Sequence, residues 1–195
     1  MFIELAEHLR CPVAHEDAYL VLATGAMAGR SIRIGTIGCP VCQAEYVILD
    51  GVARFGPPPA PAGPTRAPPA PATVQALLAL ESPGGYVVLV GSAAALTEAL
   101  SGLMPGVHFV LVNPVPAPLP APGWSVLECA QGIPLATMAR GIVVGGEYGE
   151  TGWLTDAARV VLRGQRAVVL SETPQPPPAL ERMVAGEGMW VGTKR

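Results

Sequence analysis

Four residues in the first quarter of the chain have the types and spacing to hold a metal ion: Cys11, His15, Cys39 and Cys42. They form a C-x3-H pair, a gap of 23 residues, and a C-x2-C pair. Zinc takes four nitrogen or sulfur ligands at tetrahedral angles, and two short-spaced pairs on separate turns can supply them. Gly38-Cys39-Pro40-Val41-Cys42 has the form of a knuckle, a sharp turn whose backbone N–H groups face the thiolates, and Cys11-Pro12 opens the other side. The plain alternative is two buried cysteines beside a surface histidine, with no metal. Paired pairs in so small a segment favour the metal. His8 on a polar turn and His108 inside an apolar run read as structural, and Cys129 as a small buried residue.

Other chemistry finds less support. The chain has no P-loop, no G-x-S-x-G elbow and no H-E-x-x-H. Tyr86, Tyr148, Trp124 and Trp153 are not spaced as a platform for stacking bases. One loop looks prepared for a ligand, Gly145-Gly146-Glu147-Tyr148-Gly149-Glu150, though the plainer reading is a flexible glycine loop with solvated acids. The proline-rich loop Asn113–Gly123 reads as a rigid connection rather than a docking ligand.

Composition narrows the classes. The 195 residues carry a net charge of −3, with 14% charged and 50% hydrophobic residues. A disordered polyelectrolyte is excluded by the apolar content, and the pI near 5.6 offers no footprint for nucleic acid. The mean hydropathy of +0.42 invites a membrane reading. However, the longest charge-free stretch, Ala99–Leu127, is broken by prolines at 105, 114, 116, 118, 120 and 122. The start of the chain carries Glu4 and Glu7 and lacks the apolar run of a signal peptide, so a cytoplasmic protein without a membrane partner is expected.

The elements that must position these residues fall into two pieces. Gly56–Thr73 is nearly all Pro, Ala and Gly and reads as a semi-rigid linker, with a reach on the order of 50 Å if extended. Residues 1–55 are few for a core of their own, so a structural metal would help them fold. Strand-like runs there are Tyr19–Thr24, Ser31–Thr36 and Glu45–Leu49, the last ending in an Asp50-Gly51 turn signal. Residues 74–195 alternate helix and strand. Apolar runs at Tyr86–Val90, Val107–Val112, Trp124–Cys129, Gly141–Val144 and Ala167–Leu170 read as buried parallel strands. Helices are expected at Val74–Leu80, Ala93–Leu103, Thr155–Leu162 and, after a second proline cluster at Pro174–Pro178, Ala179–Val184. The fold class is therefore α/β, a small β-rich ribbon plus a three-layer Rossmann-like domain with a mostly parallel sheet.

Two resemblances attach to these residues. LRCPVAH followed by GTIGCPVCQAEYVILDGVARF resembles the Trm112-type zinc ribbon over residues 9–55, and Ala44-Glu45-Tyr46-Val47-Ile48-Leu49-Asp50-Gly51-Val52 matches that family's closing motif. His15 stands where the family usually has a cysteine, one residue later. The resemblance implies a non-catalytic role: binding and stabilising methyltransferases, partly by pairing a strand with the partner's sheet. A protein partner, or a homodimer through the zinc ribbon, is therefore expected. Residues 84–170 are similar to a class I methyltransferase domain that uses S-adenosylmethionine (SAM). QGIPLATMARGIVVGGE and AARVVLRGQRAVVL are similar to two of that family's segments.

Departures from the second family shape the functional expectation. The turn after the first strand is Gly91-Ser92-Ala93-Ala94-Ala95, with one glycine where the pattern has three, and the methyls of Ala93 and Ala95 should crowd the cofactor's approach. The second strand ends at Asn113 and the third leads to Gln131, neither of them an acid. Any residual small-molecule site would lie at Gly91, Ser92, Asn113 and Gln131. The expectation is a zinc-binding pseudo-methyltransferase without catalytic residues, acting as a scaffold or interaction module and not binding SAM. An active SAM-dependent methyltransferase with a built-in ribbon, and a binder of another small ligand at the point where strand order reverses, remain as alternatives.

Overall fold

Short runs of Val, Leu and Ile with no room for a solvated face must be covered on both sides, and that requirement builds the second half of the chain. The computed structural model describes residues 1–60, 67–172 and 176–195. Five apolar runs form parallel strands β5 (Tyr86–Val90), β6 (His108–Val112), β7 (Trp124–Cys129), β8 (Ala139–Val144) and β9 (Val161–Val169). Helices α1 (Pro71–Leu78) and α2 (Thr97–Leu103) supply Val74, Leu78 and Leu100 to the core on one face, against Val87, Leu89 and Phe109. Helix α3 (Thr151–Val160) supplies Leu154, Ala157 and Ala158 to the other face, against Val90, Val110 and Ile142.

The first piece folds as β1 (Val21–Ala28), β2 (Ser31–Gly38), β3 (Glu45–Leu49) and β4 (Val52–Phe55), paired antiparallel in chain order. Strand β4 was absent from the expectation. It follows a two-residue turn in which Asp50 and Gly51 both have positive φ, the geometry that suits a tight hairpin. β4 then pairs parallel with β7, Val52 opposite Val126 and Phe55 opposite Cys129, so the two pieces share one sheet of eleven strands. Arg54 and Glu128 face each other in that register and form an ion pair at 3.3 Å. Residues 1–10 reinforce the junction. The Phe2 N–H donates to Ser125 Oγ at 2.9 Å, the Arg10 N–H to the Pro134 carbonyl at 3.0 Å, and the Ala136 N–H to the His8 carbonyl at 2.7 Å.

The chain's end departs from expectation. Ala179–Val184 has helix-forming residues, yet Leu180–Gly186 is strand β10, turning through Glu187 and Gly188, both at positive φ, into β11 (Met189–Lys194). Pairing with β9 outweighs local propensity here, with Trp190 buried opposite Val169. Within the second piece the strand order becomes 3-2-1-4-5-7-6, a doubly wound sheet whose order reverses between β5 and β8. Other boundaries move less. α1 begins at Pro71, inside the run read as linker, and α3 starts one turn before the expected Thr155. The helix expected over Ala93–Leu103 is split into a tight turn at Gly91–Leu96 and α2. Part of the linker and the start of the second proline cluster lie outside the described residues. No helix among the described residues is long and apolar enough to cross a membrane.

Candidate metal centre and switch-point crevice

Two turns bring the four metal-ligand candidates together. The loop carrying Cys11 and His15 closes where the Cys11 N–H donates to the Ala18 carbonyl at 3.1 Å. The knuckle between β2 and β3 closes where the Cys39 N–H donates to Ala44 and the Gln43 N–H to Cys39, at 2.9 and 3.0 Å. The donor atoms of Cys11, His15, Cys39 and Cys42 all lie within 4.8 Å of one another. Cys11 Sγ is 3.7 Å from Cys42 Sγ, and Cys39 Sγ is 3.5 Å from His15 Nε2. A tetrahedral zinc with sulfur at about 2.3 Å and nitrogen at about 2.0 Å sets its ligands about 3.5–3.8 Å apart.

The surroundings suit a cation. His15 Nδ1 is hydrogen-bonded to the Glu16 carbonyl, so Nδ1 carries the proton and Nε2 keeps its lone pair turned toward Cys39. The Tyr46 hydroxyl lies 3.8 Å from Cys11 Sγ. Burial alone would raise the Cys39 thiol, but the backbone N–H groups of Cys42 and Val41 and the neighbouring thiols outweigh it and bring it down to about 6. Cys129, by contrast, is fully buried at the end of β7, and burial pushes its thiol well up, as an inert core residue requires.

The second region is the crevice outside the carboxyl ends of β5 and β8, where open α/β sheets hold their ligands. Here the chain fills the space itself. Glu147, on a single turn at Gly146–Tyr148, reaches back to the end of β5, where both of its carboxylate oxygens are held by Ser92. The Ser92 N–H donates to Oε1, and the Ser92 hydroxyl to Oε2 at 2.8 Å. Glu147 is only 3% exposed. Gly91 is at φ +63°, and a side chain there would strike Glu147 and the Tyr148 ring. One at Gly145 would come within 2.6 Å of Ser92 Oγ and 2.7 Å of Glu147 Oε1.

These contacts correct two expectations. Glu147 is not a solvated acid on a loose loop. Nor do Ala93 and Ala95 close the crevice: Ala93 packs into the core beneath α1 and α2, and Ala95 is exposed. The nearest sequence signal for Glu147 was the glycine cluster around it, which leaves space for the carboxylate.

Gly91 and Ser92 thus lie in the crevice, and Asn113 stands at the end of β6. The Asn113 amide is committed to the backbone: Nδ2 donates to the Cys129 carbonyl at 3.0 Å and Oδ1 accepts from the Cys129 N–H at 2.7 Å. Gln131 stands apart. It lines a cleft of about 480 Å³ between the loop carrying Cys11 and α3, with Arg10, Cys11, Glu150 and Trp153. Both guanidinium groups lining that cleft are already paired, Arg10 with Asp17 and Arg159 with Asp156. His108 and Ser125 join at 3.0 Å, but Ser125 is fully buried and receives the Phe2 N–H, so the pair clamps the first residues to the sheet.

No protein-family model matches the chain, and a comparison with curated protein sequences finds no match. Solved structures with a similar fold include methyltransferases. The antibiotic-resistance methyltransferase Kmr is 15% identical, with 64% of this chain and 92% of that one aligned at a TM-score of 0.44. CalO1, a methyltransferase of calicheamicin biosynthesis in its SAH-bound form, is 16% identical, with 64% of this chain and 54% of that one aligned at 0.41. PigF with SAH is 14% identical, over 57% and 51%, at 0.36. Likeness at this level carries no functional argument. The fold assignment rests on the strand order.

Proposed function

We propose that this chain is a non-catalytic, zinc-binding protein in which a methyltransferase-like domain, its ligand crevice closed from within, serves as a scaffold for protein interaction. The observation that carries this reading is the Glu147 carboxylate on Ser92, which occupies the switch point where a cofactor would lie. Asn113 adds support: the position where the resemblance calls for a ribose-binding acid is an amide spent on the backbone of Cys129. Zinc is the metal favoured by three sulfurs and one nitrogen at tetrahedral separations. The parallel pairing of β4 with β7 fits a Trm112-type ribbon fused to the domain it braces.

A second reading has one observation in its favour. Strands β10 and β11 carry the sheet to seven strands in the second piece, so the domain is not truncated after its fifth strand, and a SAM-dependent methyltransferase retains a complete sheet to work on. Amide resonances separate the two. With saturating SAM, the Ser92, Asn113 and Glu147 amides should hold their positions; a concerted shift of all three would establish the second reading.

A further inference from the structure

We propose that β1 is a dimerisation edge, and that two copies of this chain pair antiparallel through the segment Val21–Thr24 to continue the sheet from one protomer into the next. An edge strand exposes a row of unpaired N–H and C=O groups, and proteins that stay monomeric blunt such edges with charge, proline or coverage. The two ends of this eleven-stranded sheet differ in that respect. β10 carries two charges, Glu181 and Arg182, and Glu181 is paired with Arg195. β1 reads VLATGAMA, with no charge and no proline, and every residue but Leu22 is exposed. The opposite edge of the four-stranded piece is already consumed, because β4 is paired with β7.

The register of β1 sets the extent of the contact. Pairing with β2 is regular from Val21 to Thr24, then shifts around Gly25 and again after Ala26. Such a bulge bends the strand and leaves the first half as the straight edge. Side chains favour a second copy as occupant. Ala23, Thr36 and Val47 lie in one cross-strand row on the outer face, flanked by Val21 on β1 and Leu49 on β3. Val21 is 62% exposed, and Val47 and Leu49 are also uncovered. Antiparallel pairing about a twofold axis at Ala23 sets Ala23 opposite its own copy and continues this row across the edge into the partner, with no charge facing like charge. It also satisfies the same edge on both chains, so the assembly closes at two. This inference is independent of whether the crevice binds a cofactor.

Light scattering on the zinc-loaded full chain at tens of micromolar tests it. The expected mass is about 40 kDa, twice the 20.1 kDa chain. Ala23→Lys, on the exposed edge, should give a monomer with unchanged far-UV circular dichroism and zinc content. An equimolar mixture of Ala23→Lys and Ala23→Glu should recover the dimer through opposite charges, which rules out misfolding as the cause. Val47→Lys, on the outer face but two strands from the edge, should remain dimeric. A monomeric wild type, or a dimer that survives Ala23→Lys but is broken by Val47→Lys, would overturn the proposal.

Discussion

The carboxylate of Glu147 lies on Ser92, with one oxygen held by the Ser92 backbone N–H and the other by its hydroxyl at 2.8 Å. A buried acid is costly unless hydrogen bonds replace its water, and here a single residue at the tip of β5 supplies both. Glu147→Ala should leave the Ser92 N–H and hydroxyl unpaired in the crevice and destabilise the fold by about 1–3 kcal/mol. Urea midpoints check this. Glu147→Asp, one methylene shorter, should fall between the two. An alanine variant as stable as the parent would mean that the carboxylate does not close the crevice.

Asn113 holds β6 to β7 through both polar atoms of its amide. An aspartate there can still accept from the Cys129 N–H but cannot donate to the Cys129 carbonyl. Asn113→Asp should therefore cost about 1–3 kcal/mol by the same urea measurement. Asn113→Ala should cost more, because it loses both bonds and because Asn113 has φ +49°, a conformation that asparagine tolerates better than alanine. If Asn113→Asp is neutral, the position is free to act as a ligand-binding acid.

The metal prediction is stoichiometric. Metal analysis should return one zinc per chain, and Cys39→Ser or a strong chelator should lower the melting temperature and unfold the knuckle first. His15→Ala should weaken zinc binding, with the C-x2-C pair still able to hold a ligand fragment. Because β4 carries the first piece onto β7, loss of zinc should also loosen amide-exchange protection at Val52–Phe55. A metal-free protein with unchanged melting would contradict the assignment.

Acid stability has a signature of its own. Burial, with a smaller contribution from the charge of the Met1 amino group, lowers His108 from its usual 6.5 to about 4. Between those values the unfolded chain binds the proton and the folded chain does not, so this residue's contribution is complete above pH 6.5 and is lost as pH falls toward 4. The full contribution is at most about 3 kcal/mol. Release of a bound zinc would destabilise the parent over the same range, so the measurement is the difference between the parent and His108→Gln, which should shrink as pH falls from 7 to 4. A difference independent of pH would show that His108 is not buried neutral.

Much of this was legible in the chain. The spacing of Cys11, His15, Cys39 and Cys42 identified the cluster, because short-range turns set where each pair can point. Strands at Glu45–Leu49, Tyr86–Val90 and Trp124–Cys129 fall where their apolar runs predict. What was missed depends on distant contacts. Val52–Phe55 is only four residues long, and its partner β7 lies some seventy residues on, so no local pattern announces it. Leu180–Gly186 has helix-forming residues and becomes a strand only because β11 lies beside it. Glu147 looked solvated because its glycine neighbours suggest mobility, whereas in the fold the same glycines leave the space that lets its carboxylate reach Ser92.

The central claim, that the crevice is closed and the domain non-catalytic, is tested most directly by calorimetric titration of the zinc-loaded protein with SAM and with S-adenosylhomocysteine. The account predicts no binding heat from either ligand, with a cooperative unfolding transition in the same sample proving that the protein is folded. Saturable one-to-one binding in the micromolar range, weakened by substitution at Ser92 or Asn113, would contradict it and make Glu147 a residue that moves aside for a cofactor.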